Sequence, residues 1–392
     1  MNRITGLTIA CLAFAGLLPI GSAQAAGAFS VLYNFQGGND GAGPSGQLIT
    51  DSAGNLYGTT QFGGGFTGCG DNAGCGTVFK LTPAGSESVL HALNGISDGA
   101  FPDGPLYRNK GNLYGAAAAD GGESAGAVFK ITGAGTYSVI HVFAGPPDGF
   151  APDGGLTKGG PRHLYGTTFE GGTGNCAIGC GTVYKIAKNG TETVLYSFAG
   201  GGDAFPTTAP IKDSKGNLYG TLGGDGPTNW GEIYKIAPDG SETVLHSFTD
   251  GSDGGDPQSS LLMDSAGNLY GTAGTGGTGS GTVFRLAPDG TFTVLYGFAA
   301  TGADGEDPTG NLVRDAKGDL FGTTFLGGPS GNGEVFEIDP YGREFVLYGF
   351  TGGNDGAGPS GLLRGSGGLL YGTTPLGGSH GLGVIYEVAP FE

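Results

Sequence analysis

Four cysteines and a series of regularly spaced aspartates are the residues whose chemistry is most legible in this chain. Cys69 and Cys75 lie six residues apart in one glycine-rich segment, and Cys176 and Cys180 lie four apart in another. In an exported protein such neighbours pair as local disulfides, each closing a short loop worth about 2 kcal/mol on the loop-entropy model. Cys-x3-Cys can also hold zinc, but no His or Cys stands nearby in sequence to complete a tetrahedral set, so disulfides are expected. Asp40, Asp98, Asp148, Asp253, Asp304 and Asp355 are each followed directly by Gly and, four residues on, by Pro. The fourth unit departs, with Asp203 and Pro206. A ring of such carboxylates near a pore would attract calcium. Calcium takes roughly six to eight oxygens, however, and one carboxylate per unit makes no compact ligand loop. Asp-Gly forms turns by mechanism, so turn chemistry is favoured and no cofactor is expected.

Residues for catalysis are sparse. His91, His141 and His246 recur in the slot that Tyr33, Tyr196, Tyr296 and Tyr348 fill elsewhere, which reads as structural. His380 stands beside Ser379, but a sequence-adjacent pair is not a triad, which needs geometry from separated positions. Thirty-five acidic residues leave room for an acid pair acting on glycosides. Phe62, Phe66, Phe169, Phe325 and the single tryptophan, Trp230, fall in irregular segments. There they could stack on sugar rings, though covering neighbouring residues explains them more simply.

These residues are carried by a repeat. A Leu-Tyr-Gly core (Leu-Phe-Gly once) returns with its aromatic at Tyr57, Tyr114, Tyr165, Tyr219, Tyr270, Phe321 and Tyr371, a period of about 51 residues. Each unit holds four short apolar runs between Gly, Asp, Asn and Pro clusters, the mark of strands. In the first unit these are 46–50, 56–60, 76–81 and 88–93. Four antiparallel strands per unit of this length make a propeller blade. The fourth run has its first copy at 31–35, ahead of the first complete unit, and the last unit stops without one. An open stack would leave that strand orphaned and sheet edges bare. An all-β, seven-bladed β-propeller, closed by the N-terminal strand completing the last blade, resolves both ends.

Composition sets the remaining bounds. Gly is 88 of 392 residues without a collagen register, and 38% of residues are hydrophobic, enough for a core. Arg3, the apolar stretch 7–20 and Ala23-Gln24-Ala25 read as a signal peptide over 1–25, leaving 26–392 as a single propeller domain. Removing it leaves 16 Lys and Arg against 35 Asp and Glu, a net charge of −19. Such a surface repels nucleic acid and anionic membranes and tolerates cations. With no later run of spanning length, a secreted monomer, periplasmic or extracellular, is expected.

The motifs G-N-L-Y-G-T-T at Gly54–Thr60, G-T-V-F-K-L at Gly76–Leu81 and T-V-L-Y-S-F at Thr193–Phe198 are long and specific. In them, and over 29–388, the chain resembles the choice-of-anchor tandem-repeat (GloVer repeat) family of exported bacterial proteins. The resemblance implies export and a repeat domain and carries no established activity. The terminal Ala389-Pro390-Phe391-Glu392 departs from the family's anchored pattern. In a propeller of this layout, the loops 61–75, 118–125, 169–180, 223–230, 274–280, 325–332 and 375–382 share one face. Variable loops on a rigid scaffold concentrate function. The preferred reading is therefore a non-catalytic binding or scaffold module that contacts a glycan or protein through that face. The candidate contacts are Phe62, Phe66, Phe169, Trp230, Phe325 and His380. A lyase or hydrolase acting on a polysaccharide or lactone, and a structural envelope protein, are the alternatives.

Overall fold

The computed structural model describes residues 28–391 except 67, 70–72, 119–124, 161–162, 188, 201–203, 225–229 and 301–303. The expected signal peptide lies outside the described residues. Seven four-stranded antiparallel sheets follow one another along the chain, and no helix occurs among the described residues. Blade 1 is built from Ala42–Thr50, Leu56–Phe62, Thr77–Leu81 and Glu87–Ala92, in that order from axis to rim. Blade 7 takes three strands from the C-terminal end, Ser360–Arg364, Leu370–Thr374 and Val384–Val388. Its rim strand is the N-terminal Phe29–Asn34, which pairs with Val384–Val388 from Phe29 opposite Val388 to Asn34 opposite Val384. The two chain ends thus close the ring through a hydrogen-bonded sheet, and no blade lacks a strand.

The repeated glycines explain why blades stack so closely. A Cβ at Gly58, inside Leu56–Phe62, would stand 2.6 Å from Phe79 Cζ. Gly is required there because the third strand's aromatic lies flat across the second strand. The counterparts of Phe79 are Phe129, Tyr184, Tyr234, Phe284, Phe336 and Tyr386, and all are fully buried. The glycine that opens the third strand serves a different contact. A Cβ at Gly76, Gly181 or Gly231 would come 2.4–2.6 Å from Cδ of Pro102, Pro206 or Pro257 in the next blade. The periodic proline of each unit is thus the tooth by which one blade engages its neighbour.

Candidate functional site

The six periodic aspartates sit at the seams between blades, and each faces the His or Tyr seven or eight residues before it. Asp40 accepts from Tyr33 Oη (2.9 Å) and Gln36 N (2.7 Å). Asp98 meets His91 Nε2 (2.8 Å) and accepts from Asn94 N (2.9 Å). Asp304 accepts from Tyr296 Oη (3.3 Å) and Ala299 N (2.7 Å), and Asp355 from Tyr348 Oη (3.0 Å) and Thr351 N (2.8 Å). His141 and His246 lie 3.4 and 3.2 Å from Asp148 and Asp253. The histidines and tyrosines of this slot are therefore equivalent anchors for one turn. At three seams the next blade adds an acid, and burial beside Asp40, Asp148 and Asp304 pushes Glu87, Glu192 and Glu344 up to about 7. At three others an aromatic takes that place, with Tyr137 on His91, Phe292 on His246 and Phe29 on Tyr348 at ring separations of 3.5–3.8 Å. None of the six aspartates lines the axial cavity, so these residues do not form the alternative, a carboxylate ring at the pore. Among the described residues, no three His, Cys, Asp or Glu side chains gather to hold a metal.

What reaches the axis is the segment starting four residues later. The residue before each proline has φ between 50° and 64°: Gly43, Phe101, Ala151, Phe205, Asp256, Asp307 and Gly358. Pre-proline residues ordinarily take extended conformations, and a non-Gly residue in the left-handed region costs about 1–3 kcal/mol. Hydrogen bonds hold each one in place. Phe205 N donates to Cys180 O of the preceding blade (2.9 Å), while Gly223 N of its own blade donates to Phe205 O (3.0 Å). The same inter-blade bond joins Phe101 to Cys75, Asp256 to Trp230 and Asp307 to Ser280. Two of these acceptors are the cysteines of the disulfides Cys69–Cys75 and Cys176–Cys180, which close as expected.

The kink at that residue throws the one after proline toward the centre. In chain order these are Ser45, Asp103, Asp153, Thr207, Gln258, Thr309 and Ser360, and every one is polar. They and their neighbours surround an axial cavity of about 200 Å³ to which all seven blades contribute. Through Gly46, Asp103, Thr309 and Ser360 this cavity joins a second, of about 590 Å³, walled by Phe62, Phe325, Pro375, Leu376 and Leu382. Through Thr207 and Gln258 it joins a groove of about 340 Å³, walled by Phe169 and Phe205, whose rings stack at 5.1 Å. The loop-rich face thus carries one cleft across the axis, polar in the middle and aromatic at both ends.

Burial acts on the two central acids as it does on the seam glutamates. Burial, aided by the nearby charges of Asp103 and Glu170, pushes Asp153 up to about 7. Burial also raises Asp103, opposed by the proximity of Ser45 and Gln61. Even so, Ser45 Oγ reaches no partner at hydrogen-bond geometry, and the same holds for the buried atoms Asp153 Oδ1 and Thr207 Oγ1.

The candidate contacts therefore divide. Phe62 and Phe325 share the larger lobe and Phe169 lines the smaller one. All three also cover pre-proline residues: Phe62 lies edge-on to Phe101, Phe169 stacks on Phe205, and a Cβ at Gly358 would meet Phe325 at 2.7 Å. Phe66 and Trp230 are 45% and 39% exposed and line neither lobe. His380 is exposed, with Nδ1 3.0 Å from Ser379 Oγ, and also stands outside both. Sequence reasoning missed Asp103 and Asp153. Their signal was an invariably polar residue directly after a periodic proline.

Similarity to known structures shows the fold. The extracellular domain of the hybrid two component system BT4673 from B. thetaiotaomicron superposes with a TM-score of 0.59 at 11% identity, over 93% of this chain and 40% of that one. That of BT3049 from the same organism gives 0.54 at 13% identity, over 89% and 40%. The chain therefore spans about two fifths of those domains. A gluconolactonase, XC5397 from Xanthomonas campestris, gives only 0.46 at 14% identity, over 92% of this chain and 89% of that one. No curated protein sequence matches. The paired cysteines fit an oxidising, extracytoplasmic compartment, and no helix among the described residues is long and apolar enough to cross a membrane. The Gloeobacter/Verrucomicrobia repeat model matches residues 20–179 and 174–386, nearly the whole of the propeller, so the chain belongs to the Gloeobacter/Verrucomicrobia (GloVer) repeat family.

Proposed function

We propose that this protein is a non-catalytic binding module that takes a glycan along the cleft of its loop-rich face. The observation that carries the reading is the cleft's layout, with polar side chains at the axis flanked by lobes walled by Phe62 and Phe325 on one side and Phe169 and Phe205 on the other. Sugar rings have an apolar face that packs on aromatic rings, and hydroxyls that need polar partners. The lobes are built on loops tied to neighbouring blades, two of them by disulfide-bonded segments, so little ordering is needed on binding. A glycan array probed with purified 26–392 tests the reading. Phe325→Ala should abolish the hits while leaving the unfolding transition within about 1 kcal/mol of the parent. Hits unaffected by both Phe325→Ala and Phe169→Ala would sink it.

One observation favours an enzyme as the second reading. Asp153, raised to about 7 beside Asp103, has the proton affinity of a general acid–base group. A hydrolase or lyase would leave shortened or unsaturated product, visible by mass spectrometry after incubation with the glycans that bind.

A further inference from the structure

The acids at the centre of the cleft restrict what its ligand can be. Asp103 and Asp153 line the axial cavity and Asp256 the smaller lobe, while among the described residues no Lys, Arg or His lines any of these three spaces. Arg314 and Arg364 line a separate space of about 450 Å³ that meets the axial cavity at Gln47, Pro105, Ser260 and Asn311. Asp256 has a neutral partner, since Gln258 Nε2 donates to its Oδ2 at 2.6 Å. Asp153 Oδ1 is buried with no partner, and Thr207 Oγ1 beside the same cavity is likewise unpaired. Ser45, only 9% exposed, adds a third unpaired oxygen where the larger lobe meets Asp103. An ionised carboxylate only accepts hydrogen bonds, and a buried acceptor left empty costs about 1–3 kcal/mol. The centre therefore offers oxygens and negative charge, and what it lacks is a cationic donor. Calcium would want roughly six to eight oxygens and a compact loop. An ammonium group brings three donors and one charge, matching two carboxylates and a hydroxyl.

We propose that Asp103 and Asp153 receive a primary ammonium group on the ligand, so that the glycan taken by this cleft carries an unacetylated amino sugar. The inference rests on the glycan reading. It adds that the sugar placed at the axis is charged, with its ring against the Phe62–Phe325 lobe and its ammonium turned toward Asp153. The net charge of −18 draws such a ligand in from a distance without fixing its position.

Calorimetry with three probes tests it: the tetramer of glucosamine, its fully N-acetylated counterpart, and tetralysine. Salt is kept at about 150 mM so that long-range attraction is screened. The glucosamine tetramer should bind at least tenfold more tightly than the acetylated one, and Asp153→Asn should erase that preference. Asp103→Asn serves as the second variant should Asp153→Asn fail to fold, and Phe325→Ala should weaken both sugars. Equal affinity for the two sugars, or a preference that survives both Asn variants, overturns the ammonium assignment and leaves glycan binding intact. Tetralysine binding as tightly, with the same loss in Asp153→Asn, would keep the ammonium site and remove the sugar. Binding of none of the three would overturn both readings.

Discussion

The protein carries two sets of acids on one scaffold, and the contrast between them separates structure from function. The seam aspartates are met at short range: Asp98, 4% exposed, holds His91 and Asn94 N, and Asp355 holds Tyr348 and Thr351. The axial pair is underprovided, with a buried and unpartnered oxygen on Asp153. Acids of one chemical type thus stand in different settings. The seam set is provided for mostly by its own turn, with Asp148 Oδ1 the exception, whereas the axial set has been brought together by different blades. Groups whose needs are met within the fold stabilise it. Groups left wanting cost stability, and such costs gather where a ligand is received.

The comparison can be broken most forcefully at the seam. Asp98→Ala should cost about 2–4 kcal/mol in denaturant unfolding, because it leaves His91 and Asn94 N facing a buried gap. A loss under about 1 kcal/mol would mean that the seam set is not structural. The axial counterpart should go the other way. Asp153→Asn should stabilise by on the order of 1–2 kcal/mol at pH 8, a figure discounted for screening in the open cavity. The direction follows from linkage. Asp153 is raised from 3.8 to about 7 in the folded protein, mainly by burial and then by Asp103 and Glu170. The folded state holds that proton more tightly, so stability is greatest at low pH and falls as pH rises from about 4 to about 7. Glu87, Glu192 and Glu344 fall in the same window. Asp153→Asn should therefore shrink the decline without removing it, and an unchanged pH profile would contradict the assignment.

Asp355 sharpens the contrast. Burial works to raise it, but the Thr351 side chain and N–H and the Tyr348 hydroxyl outweigh burial and hold it below 3.8. Its stabilising contribution should be lost only as pH falls below about 4. The smallest effect concerns the kink that delivers the axial set. Ala151→Gly at φ 54° should gain up to about 1 kcal/mol, because Gly takes the left-handed region without the Cβ penalty. A measurable loss in thermal unfolding would show that the kink is not strained.

Much of the architecture was present in one dimension. The Leu-Tyr-Gly period, the four apolar runs per unit and the displaced run at 31–35 determined seven blades and a ring closed by the N-terminal strand, because strand count and edge pairing are local and additive. Both disulfides and the shared slot of His91 and Tyr33 were equally legible, since their partners lie within eight residues. The turn role of Asp40 and Asp98 was readable for the same reason.

The centre was decided only in three dimensions. Asp103 and Asp153 stand 50 residues apart in sequence and belong to different blades, and only their place after a periodic proline distinguishes either from an ordinary Asp-Gly turn. Their meeting depends on inter-blade hydrogen bonds that force the pre-proline residue to positive φ and turn the following side chain inward. Closure of the ring then collects one such residue from each blade around the axial cavity. Sequence specified the blades through local periodicity. Which charges share the axis, and lack partners there, followed from the geometry of closing seven of them into a circle.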